Sequence, residues 1–292
     1  MNIAFIYPLD LVHYTPRGGL TINNEDPDYP IVNAQSNIAA LKAKTTSKSA
    51  IKLYLNPSYG TEGRYYSPTI TAFMNHNFSG GTYNLLASTY WDYGNNTLLN
   101  PTTLQSSVPI RALDTIYIAA STPPYDYRYF EIDLSNATSA DDHFEFGRVI
   151  LSEPLTQCFE SGVESNYMWI TTPESFRRER GYEFLNLSNR TPGGIRWNSP
   201  LAEKIERFKL DWKASSGTDI VTKLKELYMS TLGDGHPVVF LPHFSGTLPL
   251  PVADRECHYV YLEPGLKWED SWDNLYTENI SLSMRSAVRG KP

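Results

Sequence analysis

The chain reads as a mainly β protein: a β-sandwich over residues 1–152, then a smaller α+β domain of antiparallel strands and one amphipathic helix over residues 153–292. Three observations carry this reading. The first half is a series of short runs rich in β-branched and aromatic residues, separated by Gly, Pro, Asn and Asp. Tyr and Pro each number 20 and Trp 6 in 292 residues, an excess that favours strands and ordered loops. A sustained helical period occurs once, in the second half, and the length suits two ordinary cores.

The expected strands of the first half are "IAFIY" (3–7), "AIKLYL" (50–55), "TITAFM" (69–74), "TYNLLAST" (82–89), "TIYIAA" (115–120), "YRYFEIDL" (127–134) and "FEFGRVIL" (144–151). Between them, "NPSYGTEG", "NHNFSGG", "DYGNN", "STPPYD" and "NATSADD" supply turn geometry. Along 127–134, Tyr127, Tyr129, Glu131 and Asp133 fall on one face, and Phe130, Ile132 and Leu134 form the core face beside Arg128.

In the second half, "RFKLDWKA" (207–214) alternates Phe208, Leu210 and Trp212 inward with charged residues outward, and "ISLSMRS" (280–286) repeats the pattern with Ile280, Leu282 and Met284. The helix is expected over 219–232, with Ile220, Leu224, Leu227 and Tyr228 on one stripe, Asp219 or Thr218 as the cap and Gly233 as the stop. "HPVVFLPHF" (236–244) and "CHYVYLEP" (257–264) read as further strands of this domain.

Net charge is −7, and no basic cluster is denser than "FRRER" (176–180), which argues against nucleic acid as a partner. No run approaches the ~18 apolar residues of a spanning helix, and the N-terminus lacks an export pattern, so neither membrane insertion nor secretion is expected. Cys158 and Cys257 stand far apart without a metal-ligand spacing and read as reduced structural thiols, a lone disulfide being the alternative. Six Asn-x-Ser/Thr sequons, at Asn77, Asn95, Asn136, Asn186, Asn189 and Asn279, are what a chain rich in Asn, Ser and Thr generates by chance.

Candidate chemistry is sparse. His76, between two asparagines at a strand connection, reads first as a turn residue bonded to the backbone, then as a sugar ligand, then as a base. The carboxylates Asp141, Asp142, Glu145, Asp270 and Asp273 offer pairs for glycan hydrolysis without any motif that selects one. The loop "NNEDPDYP" (23–30) holds hard oxygen ligands but not the EF-hand pattern, and reads as a solvated turn. "STYWDYGNN" (88–96) brings Tyr90, Trp91 and Tyr93 together, to stack on a sugar, meet a neighbouring protein or pack in the sandwich. No catalytic residue, cofactor or metal is expected.

"SPTITAFMNHNFSGGTYNLLAST" with "YRYFEIDL" and "FEFGRVIL" resembles the galactose-binding-like jelly rolls of tailed-bacteriophage virion proteins, in which an Asn-His-Asn turn joins core strands and a Gly-Arg-Val strand closes the sandwich. The second half resembles compact β-rich domains of tail-tip and baseplate proteins. The resemblance implies a non-enzymatic structural protein of a virion tail or baseplate, assembled in the host cytoplasm with other tail proteins and with copies of itself in a ring. The alternative is a carbohydrate-binding module that contacts host-surface glycans through Tyr90, Trp91, Tyr93 and His76.

Overall fold

A computed structural model describes residues 2–7, 10–16, 18–36, 41–57, 59, 64–92, 94–95, 97–120, 127–153, 167–190, 196–215, 219–231, 236–263, 267–271 and 277–286. The chain forms two compact units: Met1–Thr171 with Val238–His258, and Thr172–Pro237 with Tyr259–Pro292. Where one cut after residue 152 is expected, the first unit also takes in the "HPVVFLPHF" strand. Among the described residues, no helix is long and apolar enough to cross a membrane.

The first unit is built on an antiparallel sandwich. One sheet has five strands in the order Leu20–Ile22, Lys52–Leu55, Tyr129–Ser139, Phe78–Ser88, Thr102–Pro109; the other has three, in the order Thr115–Ile118, Ile70–Met74, Arg148–Ser152. This is the jelly-roll type of sandwich expected. Both sheets feed one core: Leu53, Leu55, Leu85, Phe130, Ile132 and Leu134 from the five-stranded sheet meet Phe73, Val149 and Leu151 from the other. Alternation decides which side chains take part, since each is flanked in sequence by outward-facing neighbours. On the five-stranded sheet Glu131 is the exception among the latter, only 4% exposed, with Oε1 2.8 Å from Lys52 Nζ; on the three-stranded sheet the flanking Ala72, Met74, Arg148, Ile150 and Ser152 are buried as well.

The "NHN" turn crosses from one sheet to the other, joining Ile70–Met74 to Phe78–Ser88, so it is a corner of the sandwich rather than a hairpin within one sheet. Asn75 takes the left-handed conformation (φ 52°), which Asn tolerates better than most residues. Asn77 is fully engaged: its Nδ2 donates to Asp141 Oδ2 (2.9 Å) and His143 O (3.1 Å), and its Oδ1 accepts from Glu145 N (2.8 Å).

Several expected boundaries move. "SGG" is strand rather than turn, and "NAT" continues the Tyr129–Ser139 strand opposite it through an irregular register. Gly81 is what permits this approach: at φ +87° a Cβ there would lie 2.2 Å from Asn136 O. "FEFGRVIL" divides at Gly147, with Glu145–Phe146 pairing Ala43–Lys44 and Arg148–Ser152 pairing Ile70–Met74. Ile3–Tyr7 joins neither sandwich sheet; it pairs antiparallel with Tyr167–Thr171 on one side and Val238–Leu241 on the other, with Phe5 beside Trp169 and Phe240. Its residues 3–6 are all 0% exposed, as a continuous apolar run buried on both faces should be.

The second unit is a long hairpin, Ser175–Arg190 with Arg196–Ser215, whose base is extended by Thr277–Ser286 and then by His258–Leu262 and Lys267–Ser271. Phe208, Leu210 and Trp212 sit opposite Met284, Leu282 and Ile280, all buried, as their alternation predicts. The helix is Asp219–Ser230, with Leu224 and Leu227 buried; Gly233 lies outside the described residues. From Gly181↔Ile205 to Arg190↔Arg196 the hairpin is a ribbon of two strands, with no third strand beside it among the described residues.

Candidate functional site

Three aromatic side chains meet at one end of the five-stranded sheet. On Lys52–Leu55, alternation buries Leu53 and Leu55 and turns Lys52 and Tyr54 outward; Tyr129 lies on the same outer side of its own strand. Trp91 comes from a small hairpin, Tyr90–Asp92 with Thr97–Leu99, that follows the Phe78–Ser88 strand. Its ring lies nearly parallel to Tyr129 (centroids 5.8 Å apart, 30°) and edge-on to Tyr54 (5.3 Å, 82°). The tyrosines thus fix the tryptophan ring in place.

The hairpin is pinned at both ends. Ser88 Oγ donates to Leu99 O and accepts from Tyr90 N, while Asp92 Oδ1 accepts from Gly94 N (2.9 Å) and Asn95 N (3.3 Å) and Asp92 Oδ2 from Asn95 Nδ2 (2.7 Å). Hydrogen bonds from Asn95 and Gly94 hold the Asp92 carboxyl below its ordinary range.

Beside these rings is a cleft of about 520 Å³, a size suited to a small organic ligand. Gly18 and Gly19 form part of its wall. Asn56 N donates to Gly19 O (2.7 Å), and a Cβ on Gly19 would sit 2.5 Å from Asn56 O, so this close approach of two backbones requires glycine. The Tyr59 ring stands against Gly18, and Thr21, Asn56 and Asn95 add neutral polar groups to the lining. Tyr54 Oη, Tyr59 Oη and Trp91 Nε1 make no hydrogen bond to a described residue.

The residues nominated from sequence are distributed unevenly around this cleft. Trp91 lines it. Tyr90, one position earlier and therefore on the other face of the hairpin, is 66% exposed. Tyr93 lies outside the described residues. His76 is at the far end of the eleven-residue Phe78–Ser88 strand, ~30 Å from the hairpin at about 3.3 Å per residue. Its Nδ1 accepts from Phe78 N (3.2 Å) and its Nε2 donates to Leu113 O (3.1 Å), a tautomer assigned from these partners. Burial lowers its pKa to about 4, against the opposing pull of Leu113 O, so the ring is neutral and bonded to the backbone on both sides.

The carboxylates nominated from sequence are engaged where they are described. Burial pushes Glu145 up, but hydrogen bonds from Lys42, Lys44 and His143 outweigh it and hold the carboxyl well below its usual range. Asp141 accepts from Asn77 and Asp142 contacts His143. The Asp270 side chain and Asp273 lie outside the described residues. In the 23–30 loop, Asn23, Glu25 and Asp26 accept from the backbone N–H groups of Lys52, Ile31 and Asp28. Cys257 is buried, its thiol pushed up by burial and 3.8 Å from Met74 Sδ, and Cys158 lies outside the described residues. Sequence reasoning missed Tyr54, Tyr59 and Tyr129; for Tyr54 and Tyr129 the available signal was an aromatic ring at an outward position of an alternating strand, whereas Tyr59 lies in a turn and carries no such signal.

No family model and no curated relative matches the chain. Among solved structures it is similar to the family 32 carbohydrate-binding module of C. perfringens NanJ in complex with galactose, at 15% identity and a TM-score of 0.33, over 51% of this chain and 99% of that one. It is similar to the lectin domain of lectinolysin complexed with Lewis B antigen at 6% identity and a TM-score of 0.32, again over 51% and 99%. A chain of the virion of a native gene transfer agent particle matches at 13% identity and a TM-score of 0.25, over 40% of this chain and 82% of that one.

Proposed function

We propose that the protein is a non-enzymatic contact protein of a virion tail tip or baseplate whose sandwich unit holds a host-surface saccharide in the aromatic cleft. The observation that carries the ligand reading is the fixed Trp91 ring between Tyr54 and Tyr129, in a cleft that also offers Tyr59 and neutral polar groups. A saccharide has the matching chemistry: C–H faces that lie on aromatic rings, and hydroxyls that exchange hydrogen bonds with phenol, indole and amide groups.

Trp91→Ala is expected to weaken saccharide binding at least about tenfold, the equivalent of about 1.4 kcal/mol, as read by calorimetry against a panel of disaccharides. Unchanged affinity in a variant that melts like the wild type would remove the cleft from the reading.

The two-stranded ribbon supports the assembly half of the proposal. Such a ribbon is marginal in water by itself, whereas a neighbouring subunit can supply the surface that completes it. Negative-stain imaging across a concentration series is expected to show closed rings or tubes. Monomers throughout would count against self-assembly.

A further inference from the structure

We infer that Asp92 makes the cleft selective by charge, favouring uncharged saccharides over counterparts that carry a carboxylate, sulfate or phosphate. The inference rests on the saccharide reading above and adds to it a residue that does not itself line the cleft.

The described lining contains no side chain that is charged at neutral pH: it consists of glycine, threonine, isoleucine, leucine, asparagine, tyrosine and tryptophan. Burial raises the Tyr54 phenol above its ordinary range, so that ring stays neutral too. The charges nearby are of three kinds. Lys52 and Glu131, on the same outer side as Tyr54, neutralise each other at 2.8 Å. Asp133 also lies on the outer side and acts on Tyr54, but it stands opposite Lys52, two positions along its strand from Glu131. Asp92 has a different set of partners.

All three groups that Asp92 accepts from are uncharged: Gly94 N, Asn95 N and Asn95 Nδ2. It forms no ion pair with a described residue. Its negative charge is therefore unpaired among the described residues, hydrogen-bonded to Asn95, which lines the cleft, and immediately after Trp91 in the chain. A neutral sugar is indifferent to that field. An acidic sugar bound beside Asn95 would lose its hydration, find no cation among the described lining residues, and face a like charge at short range. The chain's net charge of −7 adds repulsion in the same direction.

The test uses the full chain and matched probes: lactose, maltose and cellobiose against sialyllactose, a galacturonate disaccharide and lactose 6′-phosphate, titrated by calorimetry at low and high ionic strength. Neutral members of the panel are expected to bind at least about fivefold more tightly at low salt, with the gap narrowing as ionic strength rises well above ~0.1 M, where the Debye length is about 10 Å. Asp92→Asn removes the charge and keeps an oxygen to accept from Gly94 N and Asn95 N, while the Asn95 amide must turn to accept where it now donates; the readout is therefore the ratio of acidic to neutral affinity, which is expected to rise toward one. Equal or tighter binding of acidic probes by the wild type overturns the inference and leaves the saccharide reading standing. A gap that survives both salt and Asp92→Asn also overturns it. Should no probe of either kind bind, the saccharide reading fails and the inference falls with it. The salt titration needs no variant, so a poorly folded Asp92→Asn would not protect the idea.

Discussion

Replacing Arg148 by alanine is expected to lower the unfolding free energy by about 3–5 kcal/mol, the range for removing one partner of a buried ion pair. Arg148 and Asp10 have side chains 3% and 4% exposed, with Nη2 and Oδ2 2.6 Å apart. Around them is a closed circuit. Arg148 Nη1 donates to Gln35 O; Gln35 Nε2 donates to Val12 O and Thr15 O, both at 2.8 Å; and Asp10 Oδ1 accepts from Val12 N (2.9 Å) and Leu151 N (3.2 Å). One residue pair therefore ties the Leu11–Tyr14 helical turn and the Ile31–Gln35 turn to the Arg148–Ser152 strand.

The contact at Oδ2 is chiefly electrostatic, because that oxygen and Arg148 Nε lack hydrogen-bond partners among the described residues. Burial pushes the Asp10 carboxyl up against the pull of Arg148. Without Arg148 the effect of burial is less opposed, and the folded state holds its proton to higher pH than the unfolded chain does. Stability of the variant should then fall as pH rises from the ordinary carboxylate range, so the deficit is smaller on the acid side. Urea midpoints of Arg148→Ala, Asp10→Ala and the double variant read this directly. The double variant should lose less than the sum of the singles, and a single variant within about 1 kcal/mol of wild type would show that the pair is not a stabilising contact.

Phe73→Ala should lose a similar ~3–5 kcal/mol through a different mechanism, loss of buried apolar surface plus the cavity left behind. Phe73 is 0% exposed on the three-stranded sheet and meets two rings of the five-stranded sheet edge-on, Phe78 at 5.5 Å and Tyr83 at 5.4 Å. It joins the layers at the corner made by the "NHN" turn. Phe73→Leu, which keeps most of the volume, is expected to lose clearly less. Equal midpoints for Phe73→Ala and the wild type would mean that the sandwich core lies elsewhere.

Much of the fold was legible in the sequence because the signals are local. Alternation placed Phe130, Ile132 and Leu134, and likewise Phe208, Leu210 and Trp212, in their cores, and all six are buried. Turn chemistry located the bend at Asn75–Asn77, and the helical stripe located Leu224 and Leu227. The long hairpin was only partly legible: "FRRERGYEF" places charges on both faces of a strand, and its pairing with Arg196–Ser215 supplies what the pattern lacks.

The sequence by itself determined that the chain is mainly β, which side chains face its cores, and that His76 belongs to a turn. Tertiary structure alone decided that Ile3–Tyr7 lies between Tyr167–Thr171 and Val238–Leu241, that His76 bonds Leu113 O, and that Trp91 meets Tyr54, Tyr129 and Tyr59 at one cleft. The physical reason is the range of each interaction. The face a side chain takes follows from the two-residue repeat of its own strand, whereas the partner it meets follows from the register between strands far apart in the chain.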